Sequence, residues 1–432
     1  MKKVPLIFPT MRLPFILLII CFAAWGVAAN MTDPLVKVFS QIFTMSSVQS
    51  ALVQFSYYGA YFCLAIPAAM INKRYSYKTG VLTGLGLAII GAFLFYPASQ
   101  SLSYGYFLTA LFILAGGLSI LETSASPYVI TMGPSENATK RLNFAQSFNP
   151  IGTNIGVFLA ASFILPHLNP ATAQERMNMP IEQLTSIQTS ELNAVMTPYV
   201  GMAFALLLTW VAIAVNKAPA VSSSPSLTKH PKIRFLSTFS HLMKNRHYKY
   251  GVMAQFFNMA AQTCVWTFTI RYVMNAISVN AEEAGTYLQY SMLTFLFSRF
   301  IMTWLMGYIK PTSLLAFSTI IAASLSIYMM FTPTLYGVYA LVAISACMSL
   351  MFPTIYGIAL QGLKQDTQFG AAGLVMAMLG GALMPMVQGL LIDQYNVSFS
   401  YMIPAICFLI VTCYALFDLK SIRVSHTHSQ KE

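Results

Sequence analysis

Twelve apolar stretches, each long enough to carry a helix through a bilayer, decide what this chain can fold into. A helix needs about 20 apolar residues to cross the hydrocarbon core. Runs of that size lie at roughly 13–39, 47–71, 79–97, 104–131, 142–166 and 197–216. They resume at 249–275, 284–309, 312–331, 335–361, 370–393 and 399–419. The spacing predicts an all-α membrane protein: a six-helix bundle over 1–216, a linker over 217–248, and a second bundle with a tail over 249–432.

Charge supports the same reading. Only 8% of the 432 residues are charged and 57% are hydrophobic, whereas a soluble domain carries about 25% charged residues. Such a surface faces lipid. With both termini set in the cytoplasm, all of the 24 Lys and Arg except Lys37, Arg176, Arg271 and Arg299 fall on the cytoplasmic side. They cluster in short loops and in the linker from Lys217 to Lys249, as positive-inside topology requires. The net charge of +12 therefore points to a membrane and not to nucleic acid. Two six-helix halves joined by a basic linker is an arrangement of secondary transporters, with substrate near the midplane.

The six cysteines all lie inside apolar runs without metal-ligand spacing and read as packing residues. The six histidines lie in loops, at segment ends or in the tail. No nucleophile–base or metal-ligand constellation appears, so neither catalysis nor a cofactor is expected. The first apolar run leads straight into further helices and does not read as a cleavable signal.

Two carboxylates stand where charge is expensive. Asp33 follows Trp25-Gly26-Val27-Ala28-Ala29-Asn30-Met31-Thr32 in the first span, and Glu122 sits between Gly116-Gly117 and Pro127 in the fourth. A charge at the centre of a spanning helix costs about 2.5–3.5 kcal/mol on insertion scales and marks function by default. Loss of water favours the neutral form of a carboxyl group, which suits it to carry a proton. With no histidine inside a span, Asp33 and Glu122 are the expected proton carriers. The plainer alternative is permanent pairing with a base, and Arg299 is the one basic residue deep in a span. Glu282, Glu283 and Asp393 lie at span ends and read as solvated charges.

Polar residues recur on single helical faces. Gln146 and Asn149 are three apart in the fifth span, and Gln255, Asn258 and Gln262 form one stripe in the seventh. Amides donate and accept, which suits a ligand dense in hydroxyls. Trp25 and Phe352 offer flat apolar surface for a sugar ring. The same amides also serve as interhelical glue in membranes. Gly80-Gly84-Gly86 and Gly152-Gly156 read as close-packing faces.

The stretches Trp25 to Phe39, Pro67 to Gly80, Leu121 to Gly133, Arg141 to Gly152, Ala254 to Tyr272, Phe352 to Gly357 and Gln365 to Gly370 carry a family likeness. So does the long polar loop, with Pro180 to Leu184 and Thr197-Pro198-Tyr199. On these the chain resembles the fucose–proton symporter family of the major facilitator superfamily. The resemblance implies a bacterial inner-membrane permease that couples hexose entry to proton entry. It implies a proton role for Asp33, a shared substrate and proton role for Glu122, and cavity positions for Asn30, Gln146 and Asn149. Arg299 matches an arginine of the family's eighth helix. Phe352 departs from the fucose carriers, which have Tyr before the Pro, and matches glucose, galactose and N-acetylglucosamine relatives.

The expectation is symport of a hexose, L-fucose foremost, with protons by alternating access. A carrier of glucose-, galactose- or N-acetylglucosamine-type sugars is the alternative. The expected site is Asp33 and Glu122 for protons, and Trp25, Asn30, Glu122, Gln146, Asn149, Gln255, Asn258, Gln262, Arg299 and Phe352 for sugar. The partners expected are the sugar, protons and membrane lipid. An exporter of apolar cations would want an acid-rich, amide-poor cavity, and a sensor would need a larger soluble domain.

Overall fold

The computed structural model describes residues 4–42, 47–101, 103–159, 162–163, 166, 169, 171, 175–176, 178–216 and 235–429. Within these, the side chains of 31–42, 47–52, 54, 195, 235–236 and 422–429 lie outside the description. No strand occurs among the described residues. The helices are α1 (Arg12–Ile42), α2 (Ser47–Arg74), α3 (Tyr77–Ser101), α4 (Tyr104–Thr131), α5 (Ala138–Gln146), α6 (Asn149–Leu159) and α7 (Ile181–Val215). There follow α8 (Phe235–Lys244), α9 (Arg246–Ile277), α10 (Ala281–Leu305), α11 (Pro311–Phe331), α12 (Leu335–Met348) and α13 (Met351–Ala359). The chain closes with α14 (Thr367–Met376), α15 (Gly380–Gln394), α16 (Val397–Ser400) and α17 (Met402–Ser429).

Among the described residues, 8 helical segments are long and apolar enough to cross a membrane. The other expected spans fall on α2, on α5 with α6, on α9 and on α10. These carry Tyr57 and Tyr61, Gln146 and Asn149, the Gln255–Asn258–Gln262 stripe, and Arg299.

Several boundaries differ from the expected ones. The fifth run is broken at 147–148, because Pro150 has no N–H for the carbonyl four residues back and its ring crowds that carbonyl. The tenth run breaks at 349–350, four residues ahead of Pro353. The polar segment expected as a loop up to residue 196 is helical from Ile181, where it extends the sixth span. The linker contains α8, so His241 lies in a helix and not in a loop. Its imidazole Nδ1 meets Asp366 Oδ2 at 2.6 Å.

The described residues fall into two compact units. One joins Phe8–Met132 with Phe148–His230. Its core is the seam of α3 on α4, where a Cβ on Gly84 would stand 2.5 Å from the Leu121 nitrogen and 2.8 Å from the Gly117 carbonyl. Gly152 and Gly156 likewise admit the α1 backbone at Ala23 and Val27. Gly86 does not belong to this face, since a Cβ there would make ordinary contact with Trp210 Nε1 at 3.7 Å. Pro127 removes the helical donor for the Thr123 carbonyl, and Asn72 Nδ2 takes its place at 3.3 Å.

Arg176 and Glu191 form a fully buried pair in this unit. The guanidinium donates to both carboxylate oxygens, at 2.8 and 2.6 Å, and to the Ala171 and Asn169 carbonyls. The Asn169 amide N–H adds a donor to the carboxylate at 2.8 Å. The hydrogen bond to Glu191 holds the Arg176 guanidinium protonated beyond its ordinary range.

The second unit joins Met1–Ile7, Gly133–Ser147 and Pro231–Glu432. In it α5 packs on α10 and α13: Asn143 Nδ2 donates to Thr354 Oγ1 at 3.2 Å, and Ser147 and Thr303 hydroxyls meet at 3.4 Å. Its apolar core runs from Ala254 and Val265 on α9 through Leu315 and Leu341 to Phe408 and Val411 on α17.

Two substitutions test these seams. Gly84→Val should cost about 1–3 kcal/mol by overpacking and lower the thermal midpoint of the purified protein, whereas Gly86→Ala should leave it within error. Glu191→Ala should strand a buried guanidinium at about 3–5 kcal/mol, read as a large fall in the same midpoint.

Candidate functional site

In the first unit the site is built on α4. Every residue from Leu114 to Val129 is buried, and Glu122 is 1% exposed. Its Oε1 accepts from Ser126 Oγ at 2.7 Å, one turn on. Ser119, one turn earlier on the same face, donates to the Tyr61 carbonyl of α2 at 3.0 Å. Tyr61 is itself a hub. Its hydroxyl accepts from Trp25 Nε1 at 2.6 Å and from Tyr57 at 3.4 Å, and the Tyr57 and Tyr61 rings lie 5.2 Å apart. The indole and two phenols thus form one cluster, tied through the Tyr61 carbonyl to the helix that carries Glu122.

Sequence reading missed Tyr57, Tyr58 and Tyr61. The available signal was three tyrosines within five residues of an apolar span, two of them four apart and so on one face.

Asn30 and Asn149 are placed in the α1–α6 seam. Asn30 Nδ2 donates to Thr153 Oγ1 at 2.9 Å and to the Gly26 carbonyl at 3.0 Å. Asn149 Nδ2 donates to the Phe22 carbonyl at 3.3 Å. These bonds tie helix to helix. α1 continues through position 33 to Ile42, so Asp33 is inside the helix and not at its end. The Asp33 side chain lies outside the described residues.

In the second unit α9 carries Gln255 and Asn258, both wholly buried. All four of their amide atoms lack hydrogen-bond partners among the described residues. Gln262, on the same stripe, is half-buried. A dry orphan amide costs about 1–3 kcal/mol, so a polar guest or a water is the expected complement. Ser291 Oγ on α10 is a further buried atom without a recorded partner.

Gln146 ends α5 and is buried, and its carbonyl accepts from Arg299 Nη1 at 3.0 Å. Arg299 also donates through Nε to the Ser349 carbonyl at 2.6 Å and lies 4.8 Å from the Phe295 ring centroid. Phe352 is 6% exposed and stacks on Tyr356 at 6.1 Å. The structure therefore gathers Trp25 and Glu122 through Tyr61 in one unit. In the other it gathers Gln146 and the start of α13 through Arg299. Among the described residues no group of three or more His, Cys, Asp or Glu side chains is set to hold a metal.

The comparisons with known proteins agree with this architecture. The Major Facilitator Superfamily profile matches residues 15–378. The L-fucose-proton symporter of Haemophilus influenzae is 40% identical over 412 residues, covering 93% of this chain and 95% of that protein. A glucose/galactose transporter of Brucella abortus is 31% identical, over 94% of this chain and 93% of its own length. A crystal structure of FucP, a Major Facilitator Superfamily transporter, in the outward conformation superposes with a TM-score of 0.87 at 36% identity, covering 94% of this chain and 99% of that one. With its helical architecture and this full-length likeness, the chain belongs to the Major Facilitator Superfamily, and within it to the fucose–proton symporter family.

Proposed function

We propose that this protein carries a hexose, L-fucose foremost, into the bacterial cell together with protons, by alternating access across the inner membrane with both termini in the cytoplasm. The observation that carries the proton half is Glu122, an ionisable carboxyl 1% exposed within a 28-residue spanning helix. Burying a carboxylate charge is costly, so protonation changes the free energy of any conformation that shuts Glu122 away from water. Asp33, on the neighbouring α1, serves as the second proton carrier. The sugar half is supported by the open valences of Gln255 and Asn258 and by the Gln146 amide, groups able to trade hydrogen bonds with hydroxyls. Trp25 and Phe352 supply flat faces for the ring. The names of the relatives support fucose and proton as the pair.

A second reading concerns the sugar only. Phe352 lacks the hydroxyl that Tyr would bring, and a relative over most of the chain is a glucose/galactose transporter. Fewer donors beside the ring favour a broader or different hexose.

The test is uptake of labelled L-fucose, glucose, galactose and N-acetylglucosamine into vesicles, with and without an imposed proton gradient. L-fucose should accumulate uphill only with the gradient. Uptake indifferent to the gradient would remove proton coupling, and preference for another hexose would select the second reading. Asp33→Asn should abolish uphill accumulation while sparing exchange of internal for external sugar. Normal accumulation by that variant would take Asp33 out of the mechanism.

A further inference from the structure

Prolines inside spanning helices create a local debt of hydrogen bonds. A proline at position i has no N–H, so the carbonyl at i−4 loses its helical donor. In water that carbonyl is hydrated; in a bilayer a side chain has to take over. Pro150 does this to the Gln146 carbonyl and Pro353 does it to the Ser349 carbonyl. Both helices break at the expected place, at 147–148 and 349–350.

One side chain reaches both acceptors. Arg299 Nη1 stands 3.0 Å from the Gln146 oxygen and Nε stands 2.6 Å from the Ser349 oxygen. The guanidinium fork is rigid and planar, so satisfying two carbonyls at once fixes the two chain breaks relative to each other. Its charge also suits the place, because each acceptor closes a helix and carries the negative end of that helix dipole. The Phe295 ring at 4.8 Å backs the guanidinium. Both breaks lie next to site residues: Gln146 supplies one carbonyl itself, and Phe352 follows the second break directly.

We propose that Arg299 is a positioning residue, the shared partner of two carbonyls deprived by Pro150 and Pro353, and that it acts on the sugar through Gln146 and Phe352 without touching it. The inference builds on the sugar-transport reading for its substrate arm; its structural arm stands alone.

The experiment is a cycle between Arg299→Met and the pair Pro150→Ala with Pro353→Ala, which returns an N–H to each carbonyl. Two quantities are read on the full-length purified protein: the thermal midpoint without sugar, and equilibrium binding of labelled L-fucose. In the native background Arg299→Met should lower the midpoint and weaken binding roughly tenfold or more, the loss of two charge-assisted bonds. In the alanine background most of both losses should vanish. An equal fall in binding in the two backgrounds would mark direct contact with the sugar and overturn the proposal, as would an equal fall in midpoint. Where Arg299→Met does not accumulate as folded protein, Arg299→Lys replaces it. A single ammonium does not reproduce the fork, and its smaller loss should again vanish with the alanines, persistence counting against the idea. Absence of fucose binding in every variant would count against the transport reading, while a midpoint loss erased by the alanines would still uphold the role of Arg299.

Discussion

Inside a bilayer an unpaired peptide carbonyl has no water to turn to, and that constraint organises much of this molecule. At three of the prolines inside spanning helices a neighbouring side chain supplies the missing donor. Asn72 does so for the Thr123 carbonyl behind Pro127, and Arg299 does so twice, behind Pro150 and behind Pro353. Each case converts a lost backbone hydrogen bond in one helix into a tie to another. The broken helices are therefore not weak points in the packing. They are places where a side chain on one helix satisfies the backbone of another.

The first unit solves a different problem, that of housing a carboxyl group in a stretch of helix buried on every side from Leu114 to Val129. Small residues let α3 approach α4 to backbone contact and α6 approach α1 in the same way. That closeness leaves Glu122 shielded from solvent, with the Ser126 hydroxyl on its carboxyl and Ser119, one turn back, tied to the Tyr61 carbonyl. Asn30 and Asn149 spend their amide protons on the α1–α6 seam. Gln255 and Asn258 in the second unit are left without recorded partners. Chemically equivalent amides thus do opposite jobs, and only their surroundings distinguish them.

That contrast sets the limit of what the amino-acid sequence discloses. The spans are readable because lipid demands long apolar runs, and the break ahead of Pro150 is readable from the Asn149-Pro150 pair. Glu122 is readable as a candidate because a charge amid apolar residues is costly. The division of labour among the amides is not, since gluing helices and holding hydroxyls use the same donors and acceptors. Arg299 was weighed against carboxylates as a partner, while its recorded acceptors are main-chain oxygens that no residue-type reasoning names. The helix before residue 197 was concealed by its polarity. The stripe of Leu184, Ile187 and Glu191 behind Pro180 was its available signature.

The Arg176–Glu191 pair has a consequence of its own. Dissolved ions screen exposed charges over a Debye length of about 8–10 Å at ordinary salt, but they have little hold on a pair shut away from water. The contact that joins Arg176, Asn169 and Ala171 to Glu191 of α7 is therefore insensitive to ionic strength. A swing in salt that loosens exposed ion pairs elsewhere on the molecule leaves this tie in place.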